Sequence, residues 1–73
     1  MDLRWTPERL DQLESAVRSG RRVALTRRGS EFVVIARRLE SDGHHEALIG
    51  VLPMTGEELR FVLTEVERFQ VLT

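Results

Sequence analysis

The feature that most constrains the fold is a predicted β-hairpin within residues 21–40. Two apolar, β-branched runs, 23–26 and 32–36, are separated by a short polar segment centred on Gly29, a pattern typical of paired antiparallel strands. Because glycine adopts a positive φ without steric cost, Gly29 and the residue on either side of it can form a tight primed turn whose twist matches the strands. The sequence therefore predicts a hairpin on which the rest of the chain packs.

The apolar runs also indicate how each strand is buried. Val23 and Leu25 alternate with other residues, so the first strand is expected to bury one face. The second run is apolar on both faces, as in a strand at the centre of a sheet or inside a small barrel. Gly50 interrupts a third apolar run, 46–52, and indicates a bulge or sharp bend there.

The N-terminal segment carries the signals of one amphipathic helix, Pro7 to Arg18. Thr6 can cap this helix, proline suits its first position, and Gly20 is placed to end it. Trp5 precedes the cap and is expected to be a packing anchor against Leu10.

The tail of the chain is compatible with two structures. Within residues 56–69 a capping pattern and apolar residues at helical spacing indicate a helix, whereas the alternation of Leu59, Phe61 and Leu63 indicates a strand. The helix would give an α-β-β-β-α two-layer sandwich. The strand would give a mainly β fold with one N-terminal helix.

Length and composition favour a small soluble protein. A chain of 73 residues without cysteine forms a single small domain of marginal stability, for which self-association is plausible. No apolar run approaches the roughly 20 residues that span a bilayer. We therefore expect a cytoplasmic location and no membrane partner.

Charge is segregated along the chain although its net value is only −1. Residues 18–39 hold seven arginines and one glutamate, whereas residues 40–67 hold seven acids and one arginine. Either the two halves neutralise each other, across the fold or between subunits, or the basic half binds an anion. The candidate contacts for an anion or a partner are Arg21, Arg22, Arg27, Arg28, Arg37, Arg38 and Arg60. Of these, Arg27 and Arg28 are expected in an exposed turn.

Nothing in the sequence indicates catalysis. The chain has no cysteine, tyrosine or lysine, and its two histidines, His44 and His45, are adjacent, so in an extended segment they point apart and cannot easily hold one metal. Gly29 stands alone rather than in a phosphate-binding loop. We expect no enzyme, no metal and no cofactor.

The tail R-F-V-L-T-E-V-E-R-F-Q-V-L, residues 60–72, resembles the closing segment of WYL domains and other Sm-like barrels. There a strand passes through one short helical turn, here near residues 64–68, into a final strand. The resemblance implies a small five-stranded, strongly bent SH3-like or Sm-like barrel, residues 21–73, preceded by the helix 7–18, within one domain, 1–73.

This chain departs from the WYL pattern at the positions that matter for ligand sensing. The Trp-Tyr-Leu of the family falls at Glu46-Ala47-Leu48, and a basic position of its final motif is Glu65 here. Only Arg60 has a counterpart among the family's positive features. The sensing function is therefore not carried over.

A second resemblance covers the helix 7–18 and the residues 19–35 that follow it. Together they are similar to prevent-host-death antitoxins, which have a helix, a strand ending in T-R-R-G, and an apolar strand. That family begins with a strand before the helix and continues into helices instead of the segment 43–53.

Two function classes remain for this chain. The first is a small interaction or regulatory module that acts by self-association or by docking on a protein. The second is a binder of nucleic-acid backbone through the arginine-rich hairpin. With one Trp and three Phe, the chain has few rings on which bases could stack. We therefore favour a protein partner or a second copy, and keep two alternatives, nucleic acid and the antitoxin function that the second resemblance implies.

Overall fold

A computed structural model describes residues 4–72, which form one helix and five antiparallel strands in a single bent sheet. The elements are α1 (Pro7–Ser19), β1 (Arg22–Arg27), β2 (Ser30–Ser41), β3 (Glu46–Val51), β4 (Glu58–Val62) and β5 (Val66–Val71), with a 3-10 turn (Leu63–Glu65) before β5. The strand order is β4-β3-β2-β1-β5. The apolar strand β2 is central, as predicted, and no ladder within residues 4–72 joins β4 to β5, so the sheet is not closed.

The ambiguous tail consists of strands, which confirms the mainly β fold and excludes the sandwich. The short helical turn lies at Leu63–Glu65, slightly earlier than the predicted 64–68. Thr55, the cap of the alternative helix, instead accepts a hydrogen bond from the amide of Glu57 at 3.2 Å and stabilises the turn before β4. Pairing of β4 with β3 and of β5 with β1 selects the strands over the helix for this tail.

Helix α1 begins and ends where its capping residues predict, within one residue. The Thr6 hydroxyl accepts from the amide of Arg9 at 3.2 Å, and Pro7 occupies the first turn. Gly20 has φ 64°, and the amides of Gly20 and Arg21 donate to the carbonyls of Val17 and Ala16. This pair of hydrogen bonds is a Schellman motif, which requires the left-handed conformation that glycine supplies.

The predicted hairpin is confirmed, with Arg27 paired to Ser30. The two turn residues, Arg28 and Gly29, have φ of 52° and 77°, as a type I′ turn requires.

The core lies between the concave face of the sheet and one face of α1. Its members are Leu13, Ala16, Val23, Leu25, Val34, Ala36, Leu48, Phe61, Leu63 and Val66. Trp5 packs against the core, as predicted, while its contact with Leu10 stays a prediction. Its indole packs on Phe69, with ring centroids 5.2 Å apart, and its Nε1 donates to the Leu63 carbonyl at 2.7 Å. This contact fixes the start of α1 over the turn between β4 and β5.

Gly50 lies in β3 next to the register shift between β3 and β2. It pairs with Ala36 of β2 and Leu59 of β4, and a Cβ atom at this position would stand 2.8 Å from the Cβ of Val34. The register shift lies opposite, in β2 after Ala36. The predicted bend is therefore present, but the bulge is on the neighbouring strand, and glycine is required because Val34 approaches the backbone closely.

Candidate partner-binding surface

The seven predicted arginines do not form one surface. Four of them, Arg27, Arg28, Arg38 and Arg60, are held by contacts within the chain. The other three, Arg21, Arg22 and Arg37, lie at the start of β1 and beside the irregularity in β2, and their side chains make no ion pair or hydrogen bond with residues 4–72. The seven arginines are thus divided into four that are engaged within the chain and three that have no such contact with residues 4–72.

Arg27 is not part of an exposed turn, contrary to the sequence-based expectation. It is half-buried, and its guanidinium lies over the rings of Phe61 and Phe32, at 4.8 and 5.3 Å from their centroids. Its Nη1 also donates to the Arg60 carbonyl at 3.0 Å. Because β1 and β4 are not neighbours in the sheet, this side chain links β1 to the edge strand β4 where no backbone ladder joins them.

The turn residue Arg28 is exposed and pairs with the tail. Its Nη2 lies 3.6 Å from Glu65 Oε2, and the neighbouring Gly29 amide donates to Glu67 Oε1 at 3.1 Å. The basic hairpin and the acidic tail therefore neutralise each other here within one chain, which is the first of the two interpretations of the charge pattern.

Arg38 and Arg60 lie on either side of Ile49, on the face of the sheet that points away from the core. Both pair with Ile49 across the ladders, and Ile49 is only 5% exposed. Arg38 contacts Glu40 at 3.1 Å and Glu58 at 3.5 Å, and these hydrogen bonds, that from Glu40 first, raise the pKa of the Arg38 guanidinium above its ordinary value. The arginine stems cover apolar surface while their charged groups stay in water and pair with acids.

Sequence reasoning missed a cleft of about 540 Å³ between α1 and β5. Its apolar surface comes mainly from the half-buried side chains of Phe69 and Val71, with the buried Ala16 at its base. The helix packs mainly on β2, which leaves this space on its other side. No local pattern signals the cleft because its walls are more than 50 residues apart in the chain.

The rim of the cleft is polar and carries one charge of each sign. Asp11, Gln12 and Ser15 line it from the helix, Gln70 lines it from the strand, and Arg21 completes it. All five are exposed. One predicted arginine, Arg21, is thus part of the cleft.

Beside this cleft, β5 presents unpaired backbone groups. Leu72 follows the last residue of β5, and its amide donates to the Arg22 carbonyl at 2.9 Å. Since bonded and non-bonded pairs alternate along an antiparallel ladder, Gln70 bonds to β1, whereas the backbone groups of Phe69 and Val71 point away from it. They have no hydrogen-bond partner within residues 4–72, so this part of β5 is an open sheet edge.

The opposite edge, β4, is covered in part. The Leu52 amide donates to the Glu57 carbonyl at 2.9 Å, and the same alternation directs the backbone groups of Glu58, Arg60 and Val62 outward. The middle one of these carbonyls, that of Arg60, is already occupied by the guanidinium of Arg27. The two edges of the sheet are therefore unequal.

The turn after β2 leads into the two histidines. Asp42 Oδ1 accepts from the amides of His45 and His44 at 2.7 and 2.9 Å, and these bonds lower the pKa of the Asp42 carboxyl. Among the described residues there is no group of three His, Asp or Glu side chains that could hold a metal ion. Over the same residues, no helix is long and apolar enough to cross a membrane.

No protein-family model and no curated protein matches the chain. The WYL and Sm-like resemblance therefore stays a prediction. At the positions where it departs from the family, Ala47 and Leu48 are fully buried in β3, and Glu65 is the ion-pair partner of Arg28.

Proposed function

We propose that this protein is a non-enzymatic interaction module, which binds an extended protein segment, or a second copy of itself, as an added strand along the C-terminal half of β5. The added strand would hydrogen-bond to the backbone groups of Phe69 and Val71. Alternate side chains of the ligand would enter the cleft between β5 and α1.

The observation that carries this proposal is the open edge beside an apolar cleft. Strand addition obtains its affinity from main-chain hydrogen bonds and its specificity from pockets for alternate side chains. The backbone groups of Phe69 and Val71 would supply the bonds, and the space beside Ala16 would receive the side chains. The half of β5 that faces the cleft, residues 69–71, carries no charge. In natural proteins, charged residues on an edge strand commonly prevent its pairing with other chains.

Nucleic-acid binding has weaker support. Four of the seven candidate arginines are engaged within the chain. The aromatic rings also pack against each other, Trp5 on Phe69 and Phe32 on Phe61, so they offer no stacking platform for bases. Only backbone contacts by Arg21, Arg22 and Arg37 would remain.

A displayed library of random eight-residue peptides, selected on the wild-type protein, tests the proposal. We expect enrichment of peptides in which apolar residues alternate with polar ones. Ser15→Trp places a large side chain in the cleft from an exposed helix position. It should weaken the binding of the selected peptides at least about tenfold. Glu14→Trp, on the same helix but outside the cleft, is the matched control and should bind like the wild type.

N-methylation of the selected peptides separates strand addition from other docking modes. Methyl groups on every second amide should abolish binding in one register and leave it intact in the other, because only alternate amides face β5. Peptides that bind Ser15→Trp as tightly as the wild type, or that tolerate both methylation patterns, would contradict the proposal.

A further inference from the structure

We infer that the occupant of the β5 edge is a second copy of this chain, bound antiparallel about a twofold axis at Gln70. This inference rests on the proposed function and identifies its partner. In this arrangement Phe69 of each copy is opposite Val71 of the other. Each of these two residue pairs exchanges both of its N–H···O bonds, so the groups that are open in one copy satisfy those of the other.

The direction of the helix makes the cleft suitable for this symmetry. Trp5, at the start of α1, contacts Phe69. At the other end, the chain leaves the helix through Arg21 into β1, where the Arg22 carbonyl accepts from Leu72. Helix and β5 therefore run in the same direction, with the first turns of α1 beside Phe69 and the end of α1 beyond Val71.

The two charges on the rim follow this direction. Asp11 lies in the N-terminal half of α1 and Arg21 just after its end, so they stand toward opposite ends of the same cleft. A twofold axis through the middle of β5 exchanges these ends. It brings Asp11 of one copy toward Arg21 of the other, twice, whereas a parallel pairing of the two strands would bring like charges together. The rim charges of one copy therefore lie near opposite charges of the other copy only in the antiparallel arrangement.

The charges supply a test that does not depend on the core. Asp11→Arg and Arg21→Asp each create like-charge pairs in the homodimer and should weaken it at least about tenfold at 50 mM salt, measured by sedimentation equilibrium. Mixing the two variants restores opposite charges at both ends, so native mass spectrometry should show a heterodimer in preference to either homodimer. The double variant Asp11→Arg/Arg21→Asp should dimerise like the wild type and shows that both substitutions are compatible with folding. At 0.5 M salt the differences should shrink because exposed charges are screened.

Three outcomes would overturn the inference. The first is a wild-type protein that stays monomeric at millimolar concentration, and the second is a dimer that neither single substitution weakens at low salt. The third is a mixture of the two variants without heterodimer. The proposed function fails separately, when peptides selected on the wild type bind equally to Ser15→Trp, so a monomer that binds peptides in the cleft would refute only the twofold partner.

Discussion

Replacing Arg27 by alanine should destabilise the fold far more than replacing its neighbour Arg28. Arg27 is half-buried, lies over two aromatic rings, and donates to a backbone carbonyl of the opposite sheet edge. Arg28 has a side chain that is 80% exposed and forms one ion pair at 3.6 Å. The two residues share charge and chemistry and are adjacent in sequence, so each is the matched control of the other.

The magnitude follows from these contacts. Cation–π contacts contribute about 0.5 to 1 kcal/mol at exposed sites and more when desolvated. A hydrogen bond from a charged donor contributes about 1.5 to 3 kcal/mol. Because Arg27 is only half-buried, and one cation serves both rings, we expect a loss of about 2 to 3 kcal/mol for Arg27→Ala. An exposed ion pair such as that of Arg28 contributes less than about 1 kcal/mol.

Thermal unfolding followed by circular dichroism gives the readout. For a domain of this size, 1 kcal/mol shifts Tm by about 4 to 8 °C, so Arg27→Ala should lower Tm by about 8 to 24 °C and Arg28→Ala by less than about 8 °C. Arg27→Lys keeps the charge but loses the planar group that stacks on the rings, and it should recover less than half of the loss. An equal loss of stability in Arg27→Ala and Arg28→Ala would refute the stabilising role of the contacts that Arg27 makes with β4.

Three further predictions concern the core, the bend and the turn after β2. Phe61→Ala should cost about 3 to 5 kcal/mol, the usual range for a buried Phe, and Val62→Ala clearly less because Val62 is half-buried on the other face; urea midpoints that reverse this order would contradict the inward position of Phe61. Gly50→Ala should cost about 1 to 3 kcal/mol through overpacking, and a variant as stable as the wild type would show that the neighbouring strand can move aside. The lowered pKa of Asp42 means that its contribution to stability is present above about pH 4 and is lost as pH falls through its folded pKa. In an NMR titration the amide shifts of His44 should report a midpoint below the ordinary aspartate value, and a midpoint at or above that value would contradict the turn.

Features fixed by neighbouring residues could be predicted from the sequence, and features made by distant ones could not. Thr6 and Gly20 cap the helix, and Gly29 sits in the primed turn, because each acts on backbone within a few residues. The tail stayed ambiguous because Leu59 and Leu63 fit both a helical and an alternating pattern. The pairing of β4 with β3, together with that of β5 with β1 some 40 residues away, selects the strand.

The candidate site illustrates the same limit. The arginine-rich composition of the hairpin predicted a basic surface, but the burial of Arg27 depends on β4 lying across the gap from β1. Similarly, the cleft exists because α1 packs closer to β2 than to β5. Arg21 was predicted as a contact and lines the cleft, whereas Asp11 had no signal beyond being a polar residue on the outer face of a helix.

The guanidinium of Arg27 on the edge of β4 also has a consequence for aggregation. A sheet with two open edges can pair with another molecule at each edge. Every added molecule then exposes a further open edge, so the association can continue into a fibril. Here the Arg60 carbonyl in the middle of β4 is already taken, and a pairing of β5 with β5 uses the open edge of both molecules at once. Growth beyond such a pair would have to use β4, where the Arg27 guanidinium prevents a complete ladder, so a single side chain disfavours polymerisation of the sheet.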